Sequence, residues 1–475
     1  MLRASAVLLL PVCLAAQSLS ITKGLVDYQV LQRDAQNRGA AEVEGKAEGA
    51  DGRALEMRVT GKGGFGWRAA GTVQNGAFKA SLSGIPVGGP YRIELRAGKA
   101  AAAVANVLVG DLWVLAGQSN MEGYGDLVNL APPSAMVNSF DMTDVWRRAE
   151  EPLHRLVDAA DSFHQRGRPR LEGEALKTWI ANRKKGTGAG LPFALEMTRR
   201  TGVPIGLLPC AHGGTSMDQW SPSLKEQGGA SLYGAMLRRV RAVGGKVAGV
   251  LWYQGESDTG VKSAPLYQGK FEAFIAAVRE DFGQPQLPFY LVQLGRFVNA
   301  SNPNEWNLVQ EAERLIEEKT PRTGMAVAVD LDLDDPIHIG TDDFKRLGKR
   351  LANLACRDLF PNVAACQAVA RGPRPVSAKL EGGNVIRVSY SNVNGGLRAP
   401  GRIAGFSLWQ ASGEYLPALY KAMVDPKAPA QVLLYVQPKL PEGTVLRYGA
   451  GKDPYCNLVD VADMAAPVFG PMKIE

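Results

Sequence analysis

The spacing of apolar positions changes twice along this chain, and the changes divide it into three stretches. From residue 17 to about 105, short runs alternate apolar and polar positions between glycine-rich turns, as in EMRVTG (56–61), FKASLSGI (78–85) and PYRIELRAG (90–98). A period of two turns one face of each strand toward a core, so this stretch predicts an antiparallel β domain. From 106 to 365 the apolar runs become continuous, over 107–116, 204–209, 247–253, 289–294 and 325–331, and helical stretches fall between them at 232–243, 270–281 and 304–318. Strands apolar on both faces and joined through helices belong to a parallel sheet covered on both sides, hence an α/β domain. Residues 366–475 return to short alternating runs such as NVIRVSYSN (384–392), QVLLYVQP (431–438) and TVLRYGAG (444–451), which predict a second all-β domain.

The first sixteen residues follow a different logic. Arg3 precedes the apolar run AVLLLPVCLAA and small residues follow, the layout of a signal peptide cut near Ala15 or Ala16, which implies a secreted or periplasmic protein. No later run is long enough to span a membrane. Removing the leader leaves Cys210, Cys356, Cys366 and Cys456, an even number in a chain bound for an oxidising compartment, with Cys356 and Cys366 the expected pair. The net charge of +7 is spread along the chain, and the one dense basic run is Arg183, Lys184 and Lys185, which gives no reason to expect a nucleic-acid partner. Residues 130–185 are polar, charged and proline-rich, and are expected to form irregular excursions over the edge of the site. The two histidines they carry, His154 and His164, are read as surface or packing residues.

The chemistry gathers where apolar runs stop. The run 107–116 ends at Gly117 and is followed by Gln118, Ser119 and Asn120, so Ser119 sits on a tight turn between a buried strand and a helix start. There its hydroxyl is exposed at the sheet edge and its own N–H is free to face an oxyanion. The run 204–209 ends in Cys210, Ala211, His212, Gly213, Gly214 and Thr215, and paired glycines at a strand end permit a turn whose N–H groups enter the cleft. The run 247–253 ends at Gln254, whose side-chain amide can donate to a developing negative charge. The run 325–331 leads into Asp330, Asp332, Asp334, Asp335 and then His338. A serine hydroxyl needs an imidazole base, and the imidazole needs a carboxylate to fix its tautomer; Asp335 and His338 supply both from one loop. A calcium loop or plain solvated turn acids are the competing readings of the aspartate run, which lacks the spacing of a known calcium motif.

These four blocks resemble those of the SGNH hydrolase superfamily, in its branch of sialate O-acetylesterases and plant-type carbohydrate acetylesterases. The matching segments are GQSNM (117–121), LLPCAHGGTSMDQW (207–220), LWYQGESDT (251–259) and IHIGTDDFKRLGKRLANLA (337–355), with LVDYQVLQRD (25–34) near the start. The resemblance implies a flavodoxin-like three-layer α/β catalytic domain flanked by all-β domains. It assigns Ser119 as nucleophile, His338 as base, Asp335 as its orienting acid, and Ser119, Gly214 and Gln254 as oxyanion donors. Gln118, Asn120, Thr215, Trp220 and Glu256 are expected to support the site or bind substrate. Trp220 suits a sugar-stacking ring or a core ring equally. Glu256 suits a hydrogen-bonding group beneath the site, the reading adopted, or a substitute triad acid. The implied activity is removal of O-acetyl groups from a carbohydrate, with no metal or other cofactor. An inactive glycan-binding protein and an esterase for lipids or longer acyl chains are the alternatives.

Overall fold

A computed structural model describes residues 17–299 and 301–475; the signal-peptide reading lies outside the described residues. The chain forms two compact units, residues 1–109 and 110–475. The described elements of the first unit are strands. Ser20–Lys23, Arg38–Lys46 and Ala77–Pro86 form a three-stranded antiparallel sheet, and Ala54–Thr60 lies between Phe65–Thr72 and Gly88–Ala97. Alternation explains the core: in Arg38–Lys46 every second residue is buried, and Val43, Leu55, Leu82, Ile85, Ile93 and Leu95 interdigitate between the strands.

The second unit is organised by the strand Ala100–Gly117, whose residues from Val107 onward are all buried. It runs parallel to Ile205–Pro209 on one side and to Gly249–Tyr253 on the other. The sheet then extends through Phe289–Gln293 and Thr323–Val327 at one end and through Val137–Phe140 at the other. The strand order therefore reverses at Ala100–Gly117: the chain builds outward on one side, crosses, and continues on the other. A reversal of this kind opens a crevice at the carboxyl ends of the strands, where ligands of open α/β sheets bind. Gly117 closes the strand with φ +134°, and a Cβ there would fall 2.1 Å from the Tyr253 carbonyl oxygen, so only glycine lets the two strands end so close together.

Two elements depart from expectation. Residues 130–185 are less irregular than predicted, because Val137–Phe140 joins the parallel sheet, Trp146–Arg148 pairs antiparallel with it, and Gly173–Asn182 is helical. Val137–Phe140 is fully buried but carries Asn138 and Ser139, which broke the apolar signal. Residues 366–475, expected as a third domain, fall within the second compact unit. The reason is polar: Arg350, on the helix Thr341–Leu359, is buried and holds both Asp330, at the end of the sheet, and Asp463, in the carboxyl-terminal stretch. Arg346 repeats the bridge one turn earlier, and Gln293 exchanges two hydrogen bonds with the Val468 backbone. The same helix ends in a disulfide from Cys356 to Cys366, while Cys210 and Cys456 are free and buried.

A buried cation stripped of its partner is costly, on the order of 3–5 kcal/mol. Asp330→Ala is accordingly expected to lower the unfolding free energy by about that amount in denaturant titration. A loss below about 1 kcal/mol would show that the Arg350 network does not tie the carboxyl-terminal strands to the sheet.

Candidate active site

The four loops that follow the strand ends converge on one point. Ser119 begins the short helix Ser119–Glu122 and is 7% exposed. Its Oγ lies 2.9 Å from His338 Nε2, across 219 residues of chain. His338 Nδ1 lies 2.9 and 2.8 Å from the two carboxylate oxygens of Asp335. With Nδ1–H given to the carboxylate, Nε2 is left as an acceptor for the Ser119 hydroxyl. The Asp335 carboxylate also accepts the backbone N–H groups of Ile337 and His338. Partial burial pushes its acidity down, but these bonds, led by His338, outweigh burial and hold its pKa at about 2, so it is ionised at any ordinary pH.

Asn120 fixes the distance between serine and histidine. Its Nδ2 donates to Glu256 Oε1 at 2.9 Å and to the Ile337 carbonyl at 3.3 Å, and its Oδ1 accepts the Ile339 N–H at 3.1 Å. One side chain next to Ser119 thus grips the backbone on both sides of His338. Glu256 is given to Asn120, with burial pushing its carboxyl up to about 7 against the pull of that amide. Glu256 therefore bonds Asn120, while the carboxylate that bonds His338 is Asp335.

The turn 210–215 lies beside Ser119: a Cβ on Gly213 would sit 3.2 Å from both the Ser119 Cβ and Glu122 Oε2. The Gly213 N–H donates to Glu122 Oε2 at 2.7 Å, and Gly214 takes φ +68°. Thr215 is structural, its hydroxyl donating to the His212 carbonyl and accepting the Trp220 indole N–H. That indole is fully buried and packs edge-on against Trp252, so Trp220 is a core ring and not a sugar platform.

The oxyanion assignment of Gln254 needs correction. Its amide nitrogen donates to the Thr215 carbonyl at 3.0 Å and to Asp258 Oδ2 at 2.7 Å. An NH₂ group has two hydrogens, and both are committed beneath the site. Gln254 therefore ties the 210–215 turn to the residues following Tyr253 and has no hydrogen left for a developing oxyanion. Gln118 works at the same level, its Oε1 accepting the Ser257 N–H.

The aspartate run is occupied by the protein. Asp330 binds Arg346 and Arg350, Asp334 accepts the N–H groups of Asp126 and Thr341, and Asp335 serves His338. Among the described residues no group of three or more His, Cys, Asp or Glu side chains is placed to hold a metal ion.

Several residues at the site were not assigned to it from the sequence. Tyr124 stacks on the His338 ring at 4.5 Å, and Lys185 reaches Asp335 Oδ2 at 3.2 Å. Both line a cavity of about 980 Å³ with Trp179, Arg168, Arg183 and Lys184. It is basic, and Arg183 lies over the Trp179 ring. Lys185 was visible as part of a basic run; only the fold brings that run to the histidine.

His154, His164 and His212 surround the 210–215 turn and are buried, so none is a surface residue. His154 Nε2 accepts the Ala211 N–H at 3.2 Å, and burial pushes its pKa down to about 3. His212, depressed to about 4 by burial and by Arg166, lies 3.0 Å from His164, nitrogen to nitrogen.

With the geometry in place, its relatives can be compared. Residues 109–357, just over half of the chain, match the model of the SASA family, described as carbohydrate esterase, sialic acid-specific acetylesterase. The chain belongs to this family. Membership places it among the carboxylic ester hydrolases. A probable carbohydrate esterase of Arabidopsis thaliana is 29% identical over 263 residues, 51% of this chain and 88% of that protein. The human sialate O-acetylesterase is 30% identical over 280 residues, 49% of this chain, and the match spans only 50% of that relative's length. Among solved structures, a carbohydrate acetylesterase from Xanthomonas citri superposes with a TM-score of 0.65 at 25% identity, covering 95% of this chain and 99% of that one. No helix among the described residues is long and apolar enough to cross a membrane.

The neutral imidazole at His154 has a consequence for stability. Its folded pKa of about 3 lies below the unfolded value, so the unfolded chain binds the extra proton as pH falls. Its contribution is complete above about pH 6.5 and is withdrawn as pH drops toward 3, at about 1.4 kcal/mol per unit. The unfolding free energy of the wild type relative to His154→Gln, which keeps an acceptor for Ala211, should therefore shrink by about 2 kcal/mol between pH 6.5 and 5. Urea titrations of the two proteins at both values measure it; a gap independent of pH contradicts the assignment.

Proposed function

We propose that the protein is a secreted serine esterase of the SGNH type that removes O-acetyl groups from carbohydrates. The observation that carries the reading is the unbroken line from Ser119 Oγ through both nitrogens of His338 to the Asp335 carboxylate. In this reading Ser119 Oγ attacks the acetyl carbonyl carbon while His338 Nε2 takes its proton, and Asp335 stabilises the imidazolium. The tetrahedral oxyanion is held by the N–H groups of Ser119 and Gly214. Collapse of the intermediate breaks the ester bond, and His338 returns the proton to the departing sugar hydroxyl. Water, deprotonated by His338, then releases acetate and restores Ser119. Every step uses groups of this chain.

The basic cavity beside Tyr124 supports a substrate class. Four cations besides Arg166, namely Arg168, Arg183, Lys184 and Lys185, with the Trp179 ring, suit a sugar that carries a carboxylate as well as acetyl esters. Acetylated sialic acids and acetylated uronic-acid glycans have this chemistry, and neutral acetylated xylan does not. A cavity ringed by cations is poorly matched to a lipid tail, which disfavours the long-acyl alternative, and the occupied triad geometry disfavours a pure glycan binder.

Ser119→Ala is expected to abolish release of nitrophenol from 4-nitrophenyl acetate, and Asp335→Asn to lower kcat by about 10³–10⁴-fold. Acetate release measured across acetylated sialic acid, pectin and xylan should favour the two acidic substrates in kcat/KM, with the preference weakening in salt. Wild-type turnover that survives Ser119→Ala overturns the mechanism; equal or better use of neutral xylan overturns the substrate class.

A further inference from the structure

The two backbone polar groups of Gly213, its N–H in the His212–Gly213 peptide and its carbonyl in the Gly213–Gly214 peptide, are each held by a residue outside the triad. On one side Glu122, one helical turn after Ser119, accepts the Gly213 N–H at 2.7 Å. On the other, Arg166 Nη2 donates to the Gly213 carbonyl at 2.5 Å, while Nε of the same guanidinium donates to His212 Nε2 at 2.6 Å. Arg166 thus straddles the turn, gripping one side chain and one carbonyl of successive residues.

Hydrogen accounting makes this grip directional. His212 Nε2 accepts from Arg166, so it carries no proton, and a neutral imidazole then has its hydrogen on Nδ1. That Nδ1 lies 3.0 Å from His164 Nδ1, with the two rings stacked at 16°. His212 donates and His164 accepts, leaving the His164 hydrogen on Nε2. The chain runs one way, from Arg166 through His212 to His164, in a single set of tautomers, and ends at the buried His164 Nε2, which has no partner among the described residues. Arg166 itself has φ +52°, a left-handed conformation unusual for a side-chain-bearing residue, directly after the short helix Ser162–Gln165.

We propose that Arg166 is a positioning residue for the oxyanion hole. In a trans peptide the carbonyl of one residue and the N–H of the next point in opposite directions. By bonding the Gly213 carbonyl, Arg166 fixes the plane of the Gly213–Gly214 peptide, and with it the direction of the opposed Gly214 N–H, the donor assigned to the oxyanion in the esterase reading. Glycines on both sides of this peptide leave it free to rotate, so without the guanidinium the plane can flip and present a carbonyl where a donor is needed. Arg166 touches no reacting atom and acts through Gly213. This inference rests on the esterase reading above, and its test separates the two.

The experiment uses 4-nitrophenyl acetate, which has no carboxylate for a basic cavity to bind. With the full-length protein, Arg166→Ala should lower kcat by about 10²–10³-fold, the loss typical of one missing oxyanion donor, with KM changed less than threefold. Arg166→Lys, which keeps one donor for the Gly213 carbonyl and loses the fork to His212, should retain intermediate activity. Added guanidinium chloride should restore kcat of Arg166→Ala in a saturable way that sodium chloride at equal ionic strength does not reproduce. Thermal unfolding of each variant checks the fold, and if Arg166→Ala does not fold, Arg166→Gln is read by the same criteria. A folded variant whose kcat stays within threefold of wild type overturns the proposal, as does a loss of activity confined to acidic sugar substrates, which would make Arg166 a substrate-binding residue only. If the wild type itself shows no Ser119-dependent turnover, the esterase reading fails and not the Arg166 inference alone.

Discussion

A hydrogen bond between Ser119 and His338 is the contact on which the rest depends, and it is an improbable one for a chain to make. It joins residues 219 apart, so it exists only because the sheet holds the loops that carry them. Ala100–Gly117 contributes the serine from the middle of the parallel strands, and the loop after Thr323–Val327 brings the histidine back from the edge. The gap is closed by Asn120, which binds the backbone before and after His338 while its neighbour Ser119 carries the hydroxyl. A single amide therefore converts the coarse placement provided by a sheet into hydrogen-bond accuracy. Locking a rotamer through a second layer of contacts is how reacting groups are commonly kept within a fraction of an ångström.

Around that contact burial pushes ionisable groups toward their uncharged forms. Burial pushes the carboxyls of Glu122, Glu151 and Glu256 up to about 7, and pushes His154 and His212 down to about 3 and 4. The two effects have one cause, the cost of holding charge away from water. The groups that stay charged at the site, Asp335 and the cations of the cavity, are partly exposed or richly bonded. Charge that develops during a reaction therefore meets fixed dipoles in place of competing ions, the condition under which a few N–H groups are most effective.

Much of this was legible in the sequence because strands buried on both faces write a continuous apolar run, and chemistry in such sheets sits where the runs stop. Ser119, Asp335 and His338 were read from that rule together with the family resemblance. What was missed has physical causes. Val137–Phe140 lies in the sheet but is short and carries Asn138 and Ser139, and Gly173–Asn182 has no buried residue to give it an apolar stripe. Gln254 stood at the right strand end, yet a sequence cannot reveal that its two amide hydrogens are committed to Thr215 and Asp258. Trp220 was ambiguous because burial of an indole depends on neighbours from other elements, here Trp252 and Phe274.

Residues 130–185 illustrate the point most fully. Their polar, proline-rich composition suggested loops that choose a substrate, and they do supply the cations of the cavity. The same segment carries His154, which accepts the Ala211 N–H, and Arg166, which grips Gly213. The cavity lining and the contacts that hold the turn therefore share one stretch of chain. On the proposed function such a loop would transmit strain between substrate and oxyanion donor, because the guanidinium of Arg166 lines the cavity while bonding the turn. Substitutions that retune such a loop for a different sugar will disturb the chemistry as well as the binding, unless Arg166 and its two acceptors are left in place.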